Sequence, residues 1–230
     1  MLGFIFIMLV AGGISLLAQG YVKRMFSKYS RVGAQGGYSG EQVAAQILRA
    51  SGIYDVSIHE QEGMLGDHYD PLHKRLVLSS ANYRGRSLAA IGVAAHECGH
   101  AIQHQQAYAP LKMRMAAVGV TTFANQALSY LFFFGTFSGL LGIFAGVAAM
   151  ASCWGVIMLF NLVTLPVEYD ASRRAKLVLS QLGFTATPGE DVAVAKVLNA
   201  AALTYVAAFL TSLLYFLYFL MPLLTGRSDD

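Results

Sequence analysis

The chain has 230 residues, of which 56% are hydrophobic and only 13% charged, with a mean hydropathy of +0.52. A soluble domain carries nearer a quarter charged residues, so the composition argues against an ordinary soluble protein and points to a bilayer. The formal net charge of +3 is too small to suggest nucleic acid, and no nucleic-acid partner is expected.

Leu2 to Leu17 is apolar or small throughout, and with Ala18 to Tyr21 it is long enough to span a membrane. It has no positive n-region, and Lys23, Arg24, Lys28 and Arg31 follow it. That flank pattern predicts a retained anchor with its N-terminus outside rather than a cleaved signal peptide, although Ala18-Gln19-Gly20 is compatible with cleavage. Gly33 to Ser39 reads as a Gly-rich linker. Ser39 with Gln42 three residues later is a capping-box pattern, and Gly52 marks the end of the helix it opens. Two strands are expected at Tyr54–Glu60 and Arg75–Ser79, with a turn at Gly66-Asp67-His68-Tyr69-Asp70-Pro71 between them.

The next helix, expected from about Ser87 to Gln106, contains His96-Glu97-Cys98-Gly99-His100. Residues four apart on a helix lie within about 40° of each other, so His96 and His100 can aim two imidazole nitrogens at one point. Glu97 is turned about 100° from His96, which keeps its carboxylate near that point without making it an obvious ligand. Two neutral imidazoles and an adjacent base are what a hydrolytic zinc site needs. The flanks Leu88, Ala89, Ala90, Ile91, Val93, Ala94 and Ala95 are small and apolar, so the helix is buried. A buried helix rarely carries three ionisable residues without partners or a metal. Cys98 and Cys153 form no disulfide framework, and Cys98 reads as a small buried residue.

No formally charged residue occurs from Met115 to Val167. Gly135, Ser138, Gly139 and Gly142 interrupt this run, which predicts two transmembrane helices at about Ala116–Phe134 and Leu140–Leu165. After Pro166 a new helix carrying Glu168, Asp170, Arg173, Arg174 and Lys176 is expected, with Gly183 as its stop. Thr187-Pro188-Gly189-Glu190 opens the last helix, with Pro at the first position and Glu190 as the box partner. That helix runs apolar from Ala200 to Leu224.

The expected fold is therefore a mostly α membrane protein. About four transmembrane helices carry a small α+β unit on the cytoplasmic face. The segments are an anchor at 1–21, the motif-bearing unit at 22–115, a transmembrane hairpin at 116–165, a helical segment at 166–198 and a last crossing at 199–224. The side bearing Lys23, Arg24, Lys28, Arg31, Lys112, Arg114, Arg173, Arg174 and Lys176 should be cytoplasmic. A third metal ligand must then come from the segment beginning Glu168-Tyr169-Asp170. His104, about 12 Å along the helix from His96, is too far to share one ion. Glu168 is favoured, with Asp170 second and its plain alternative an i,i+4 pair with Arg174.

These residues resemble a known family. The stretches His96 to His104, Gly66 to Pro71 and Pro166 to Ala175 look like the neutral zinc metallopeptidases of the YugP-like membrane type. The resemblance covers essentially the whole chain. It implies a zincin-like membrane peptidase of the gluzincin kind, with Zn2+ held by His96 and His100 and with Glu97 as catalytic base. More distantly, Glu168-Tyr169-Asp170-Ala171-Ser172 is similar to the Glu-x-x-x-Asp stretch of integral-membrane CAAX-type and heat-shock metallopeptidases, whose Glu binds zinc. Ser172 replaces the last Asp, which leaves open which group orients each histidine.

The expected function is a zinc-dependent endopeptidase of the bacterial cytoplasmic membrane, using a zinc-activated water and Glu97 as general base. Its partners would be the lipid bilayer, a membrane-associated protein or peptide substrate, and other membrane proteins. An intramembrane protease is disfavoured by the polar flanks Arg84 and Arg86. A transporter is disfavoured because the crossings offer only Asn125, Asn161 and Asn199. The alternative is a catalytically silent membrane scaffold that keeps a zinc site. For substrate, an extended peptide is expected to lie along a strand within Asp67–Ser79, with His68 or Tyr69 stabilising the oxyanion and Arg173 or Arg174 next in line; the alternative is that Asp67, His68 and Tyr69 simply close a polar turn, and composition alone does not choose.

Overall fold

The structure, a computed structural model, describes residues 2–63, 66–131 and 142–226. Among these, the elements in chain order are α1 (Leu2–Tyr29), α2 (Gly40–Ala50), β1 (Ser57–Gln61), β2 (His68–Asp70), β3 (Arg75–Ser79) and α3 (Ser80–Tyr83). Then come α4 (Leu88–Gln105), α5 (Ala109–Tyr130), α6 (Ile143–Gln181) and α7 (Pro188–Thr225). The fold is mostly helical with one small sheet. α1, α6 and α7 are long and apolar enough to cross a membrane. The expected hairpin tip at Gly135, Ser138 and Gly139 lies outside the described residues, and the described part of the crossing before it belongs to α5.

The chain divides into two compact units. One comprises residues 1–18, 113–165 and 204–230, the other residues 19–112 and 166–203. In the first, Phe4 of α1 packs against Tyr215, Tyr218 and Phe219 of α7, and Trp154 of α6 stacks on Tyr215 at 4.4 Å. Asn161 donates to the Ala208 carbonyl at 3.2 Å and to Ser212 Oγ at 3.1 Å, so its amide ties α6 to α7. Large apolar side chains such as Leu9, Leu16, Leu17, Phe123 and Leu159 stay exposed on this unit. An exposed apolar surface of that kind suits a hydrocarbon solvent.

The second unit contains α2, the sheet, α3, α4 and the polar ends of α1, α6 and α7. Its core joins Val43, Ile47 and Leu48 of α2, Leu76 and Leu78 of β3, Ala94 and Cys98 of α4, and Leu179 and Val194 of α6 and α7. The capping box of α2 is complete: Ser39 Oγ accepts from Gln42 N–H, and the Gln42 side chain accepts from Ser39 N–H at 2.9 Å. α4 begins as expected, with Ser87 Oγ accepting from Ala90 N–H.

Four details differ from the expectations. The stretch read as a turn contains a third strand, β2. The sheet order is β1-β3-β2, with β1 parallel and β2 antiparallel to β3. The turn is confined to Pro71–Lys74, where Asp70 Oδ1 accepts the Leu72 and His73 amides and Lys74 has φ of 50°. β3 is therefore central, and the strand with an open edge beside α4 is β2, not the whole Asp67–Ser79 run. Secondly, α6 is one helix through Pro166 rather than two. Proline removes one hydrogen bond and costs roughly 3 kcal/mol in a helix interior. Helical packing on both sides of it offsets that cost, and the boundary between the two units falls at this residue.

The linker at Gly33–Ser39 is also tied down. Ala34 N–H bonds to the Arg86 carbonyl at 2.9 Å, Leu88 N–H to the Val32 carbonyl at 2.9 Å, and Gln35 N–H to Glu190 at 2.8 Å. Finally, Glu190 completes only half of the expected box. Its N–H reaches Thr187 Oγ1 at 3.3 Å, but its carboxylate takes the amides of Ala186 and Gln35 instead. Glu190 is buried, so Glu190→Ala would strand two backbone donors at about 1–3 kcal/mol each. A lowered unfolding midpoint in detergent is expected, with Glu190→Gln closer to wild type.

Candidate metal centre and active site

α4 and α6 meet where neither carries a bulky side chain. A Cβ built on Gly99 would lie 2.6 Å from the Ala171 carbonyl oxygen, so the glycine is what permits this approach. Side chains on a helix lean towards its N-terminus. Glu168, one turn before Ala171, is thereby delivered to the histidine face of α4. Its Oε2 lies 3.2 Å from His96 Nε2 and 3.6 Å from His100 Nε2. The two imidazoles are edge-to-face, with centroids 4.8 Å apart.

These three residues form a group that could hold one metal ion, with all ligand atoms within 4.8 Å of one another. Bonds of about 2.1 Å in tetrahedral geometry place ligand atoms about 3.4 Å apart, and the two Glu168–imidazole separations of 3.2 and 3.6 Å lie on either side of that value. Glu168 is 1% exposed, so its carboxylate needs compensation by cations or donors. Three protein donors would leave one position of a tetrahedral ion open.

Each imidazole is held from behind. Ser172 Oγ lies 3.2 Å from His96 Nδ1, and Gln103 Oε1 lies 3.0 Å from His100 Nδ1. Ser172, one turn beyond Glu168 on α6, thus supports His96 from behind. Gln103 was missed from the sequence. Its signal was available: it lies one turn beyond His100, on the same face of a helix too apolar to spare a solvated amide.

Asp170 and His104 stand elsewhere. Asp170 accepts from Gln103 Nε2 at 3.0 Å and pairs with Arg173 and Arg174. His104 Nδ1 is 2.8 Å from the Tyr69 hydroxyl, and burial pushes that phenol up to about 12. His68 Nδ1 is 2.7 Å from the Gly66 carbonyl. Cys98 is fully buried with its thiol against the Ala44 carbonyl, and burial pushes its pKa well up, as suits a packing residue.

Glu97 lies between α4 and β2. Burial dominates its titration and raises it to about 7, with Glu168 and Asp67 adding to the rise. The His96 ring and the Tyr69 backbone N–H oppose it. Asp67 is itself anchored, accepting from Ser79 N–H at 2.7 Å and from Asn82 Nδ2 at 2.8 Å.

Two predictions follow from this geometry. Gly99→Ala forces α4 and α6 apart, and overpacking of this kind costs about 1–3 kcal/mol. Metal analysis should find divalent-ion binding weakened along with stability. The second concerns metal-free protein in chelator. A carboxyl raised from 4.5 to about 7 stabilises the fold fully below 4.5, and that contribution is lost as pH rises through 7. The loss amounts to about 3 kcal/mol. Denaturation of wild type and Glu97→Gln across this range should show wild type losing stability relative to the variant as pH rises.

Residues 4–224 match the model of the family described as "Putative neutral zinc metallopeptidase". The chain is 43% identical over 228 residues to a Bacillus subtilis (strain 168) protein described as "Putative membrane protease YugP", covering 99% of each. No solved structure matches. Matched almost from end to end, the chain belongs to this neutral zinc metallopeptidase family.

Proposed function

We propose that this protein is a zinc-dependent integral-membrane endopeptidase. The observation that carries the reading is one buried carboxylate oxygen, of Glu168, facing the Nε2 atoms of both motif histidines at 3.2 and 3.6 Å. His96, His100 and Glu168 would hold zinc. When bound, zinc would polarise the scissile carbonyl and lower the pKa of an adjacent water. Glu97, at the same end of the site, takes the proton of the attacking water and returns it to the leaving amine. Burial raises its affinity for a proton, and a cation at the site would offset part of that rise.

An extended peptide substrate would lie along the open edge of β2, the strand whose Tyr69 amide already faces Glu97. Each oxyanion candidate is engaged elsewhere: the Tyr69 hydroxyl with His104, His68 Nδ1 with the Gly66 carbonyl, and Arg173 and Arg174 with Asp170, so any of them would have to leave its partner to serve as the donor. The membrane arrangement we favour has four crossings, with residues 22–115 and 166–198 on the cytoplasmic side, where their Lys and Arg residues belong. The active site would then work at the cytoplasmic face on membrane-associated protein.

One zinc per chain is expected. His96→Ala, His100→Ala and Glu168→Ala should lose it, whereas His104→Ala should keep it. Glu97→Gln should retain zinc and fold but lose at least the ~10²–10⁴-fold typical of general-base removal. Stoichiometric zinc in Glu168→Ala, or near-normal hydrolysis by zinc-loaded Glu97→Gln, would overturn the corresponding assignment.

A further inference from the structure

We propose that Gln103 is a positioning residue that locks His100 in a single tautomer, leaving its Nε2 lone pair facing the Glu168 carboxylate. Its purpose rests on the zinc reading above, but its geometry does not.

An amide side chain donates from one end and accepts at the other. Gln103 Nε2 lies 2.8 Å from the Val167 carbonyl oxygen and 3.0 Å from Asp170 Oδ2. A carbonyl oxygen and an ionised carboxylate only accept. Turning the amide over would set its oxygen against both of them, so its orientation is determined. Gln103 Oε1 must therefore face His100 Nδ1, 3.0 Å away. That oxygen can only accept, so Nδ1 carries the hydrogen. In the neutral ring Nε2 is then bare, and Nε2 is the atom facing Glu168. A bare nitrogen is what a metal requires.

The amide cannot trade these bonds for water. Gln103 is 0% exposed, and a buried unpaired amide is costly. Its acceptor Asp170 is held in turn by Arg174, which also donates to Gln106 Oε1 at 2.6 Å and lies over the Tyr108 ring. This gives Asp170 a role distinct from binding metal: it keeps the donor end of Gln103 turned away from His100. His96 differs, because the Ser172 hydroxyl on its Nδ1 can either donate or accept. Only one of the two histidines is locked.

The first test uses the wild-type full chain in detergent and chelator, with 15N-labelled histidine and His100 assigned by loss of its signals in His100→Gln. Nδ1 of His100 should be protonated whether the ring is neutral or charged. A neutral ring with hydrogen on Nε2 and a bare Nδ1 would overturn the proposal. The second test measures affinity for zinc alone by chelator competition. Gln103→Met, of similar shape but without the acceptor, should weaken zinc by about 10- to 100-fold. Gln103→Glu keeps an acceptor oxygen and should recover part of that loss. Wild-type affinity in both variants would overturn the proposal. If Gln103→Met fails to fold, the wild-type tautomer decides alone. Should wild type show the expected tautomer yet bind no zinc, the positioning role stands and the zinc reading falls.

Discussion

The backbone contact of Gly99 with Ala171 is the constraint on which the candidate site depends. A His-Glu-x-x-His helix supplies two donors by itself, but a third must come from another helix. Packed helices usually lie 8–10 Å apart, a distance set by the side chains between them. Here one side of the contact is a glycine and the other an alanine carbonyl 2.6 Å from where a Cβ would stand. The short Glu168 side chain can then reach both imidazoles, and Ser172, one turn on, can reach the back of His96. One close approach thus sets both the donor triangle and one of its supports.

Much of this was legible in the sequence because it depends on local rules. The i,i+4 spacing of His96 and His100 places them on one face in any helix, whatever surrounds it. Ser87 and the Ser39–Gln42 pair announce helix starts through bonds made within a few residues, and both bonds are present. Glu168 could be singled out because few acidic residues stand at the edge of the long uncharged run. The apolar stretches of α1, α6 and α7 are readable by length alone.

What was not legible depends on contacts between distant residues. β2 carries turn-forming residues, and only its pairing with β3 makes His68–Asp70 a strand. Pro166 is a breaker by local rule, but tertiary packing overrides the rule in α6. The Gly33–Ser39 stretch looks loose by composition, yet its amides are taken by Arg86 and Glu190, residues far along the chain. Gln103 belongs to the same class. Its helix position hinted at His100, but its other partners, Val167 and Asp170, lie on α6.

The charges around Glu97 tie these elements into one electrostatic argument. Asp67 and Glu168 both push Glu97 towards its protonated form, and burial pushes harder than either. Such a cluster sets two buried acidic groups, Glu97 and Glu168, beside the half-buried Asp67, where unpaired charge is expensive. Asp67 is satisfied by Ser79 and Asn82, and Glu168 lies 3.2 Å from His96 Nε2, which can donate to it. Glu97 has one backbone amide, which cannot by itself offset its burial. A divalent cation held by His96, His100 and Glu168 would draw Glu97 towards the ionised form, because an opposite charge nearby favours it. Metal binding by an imidazole needs an unprotonated nitrogen, and the amide of Gln103 imposes that condition on Nε2 of the neutral His100 ring.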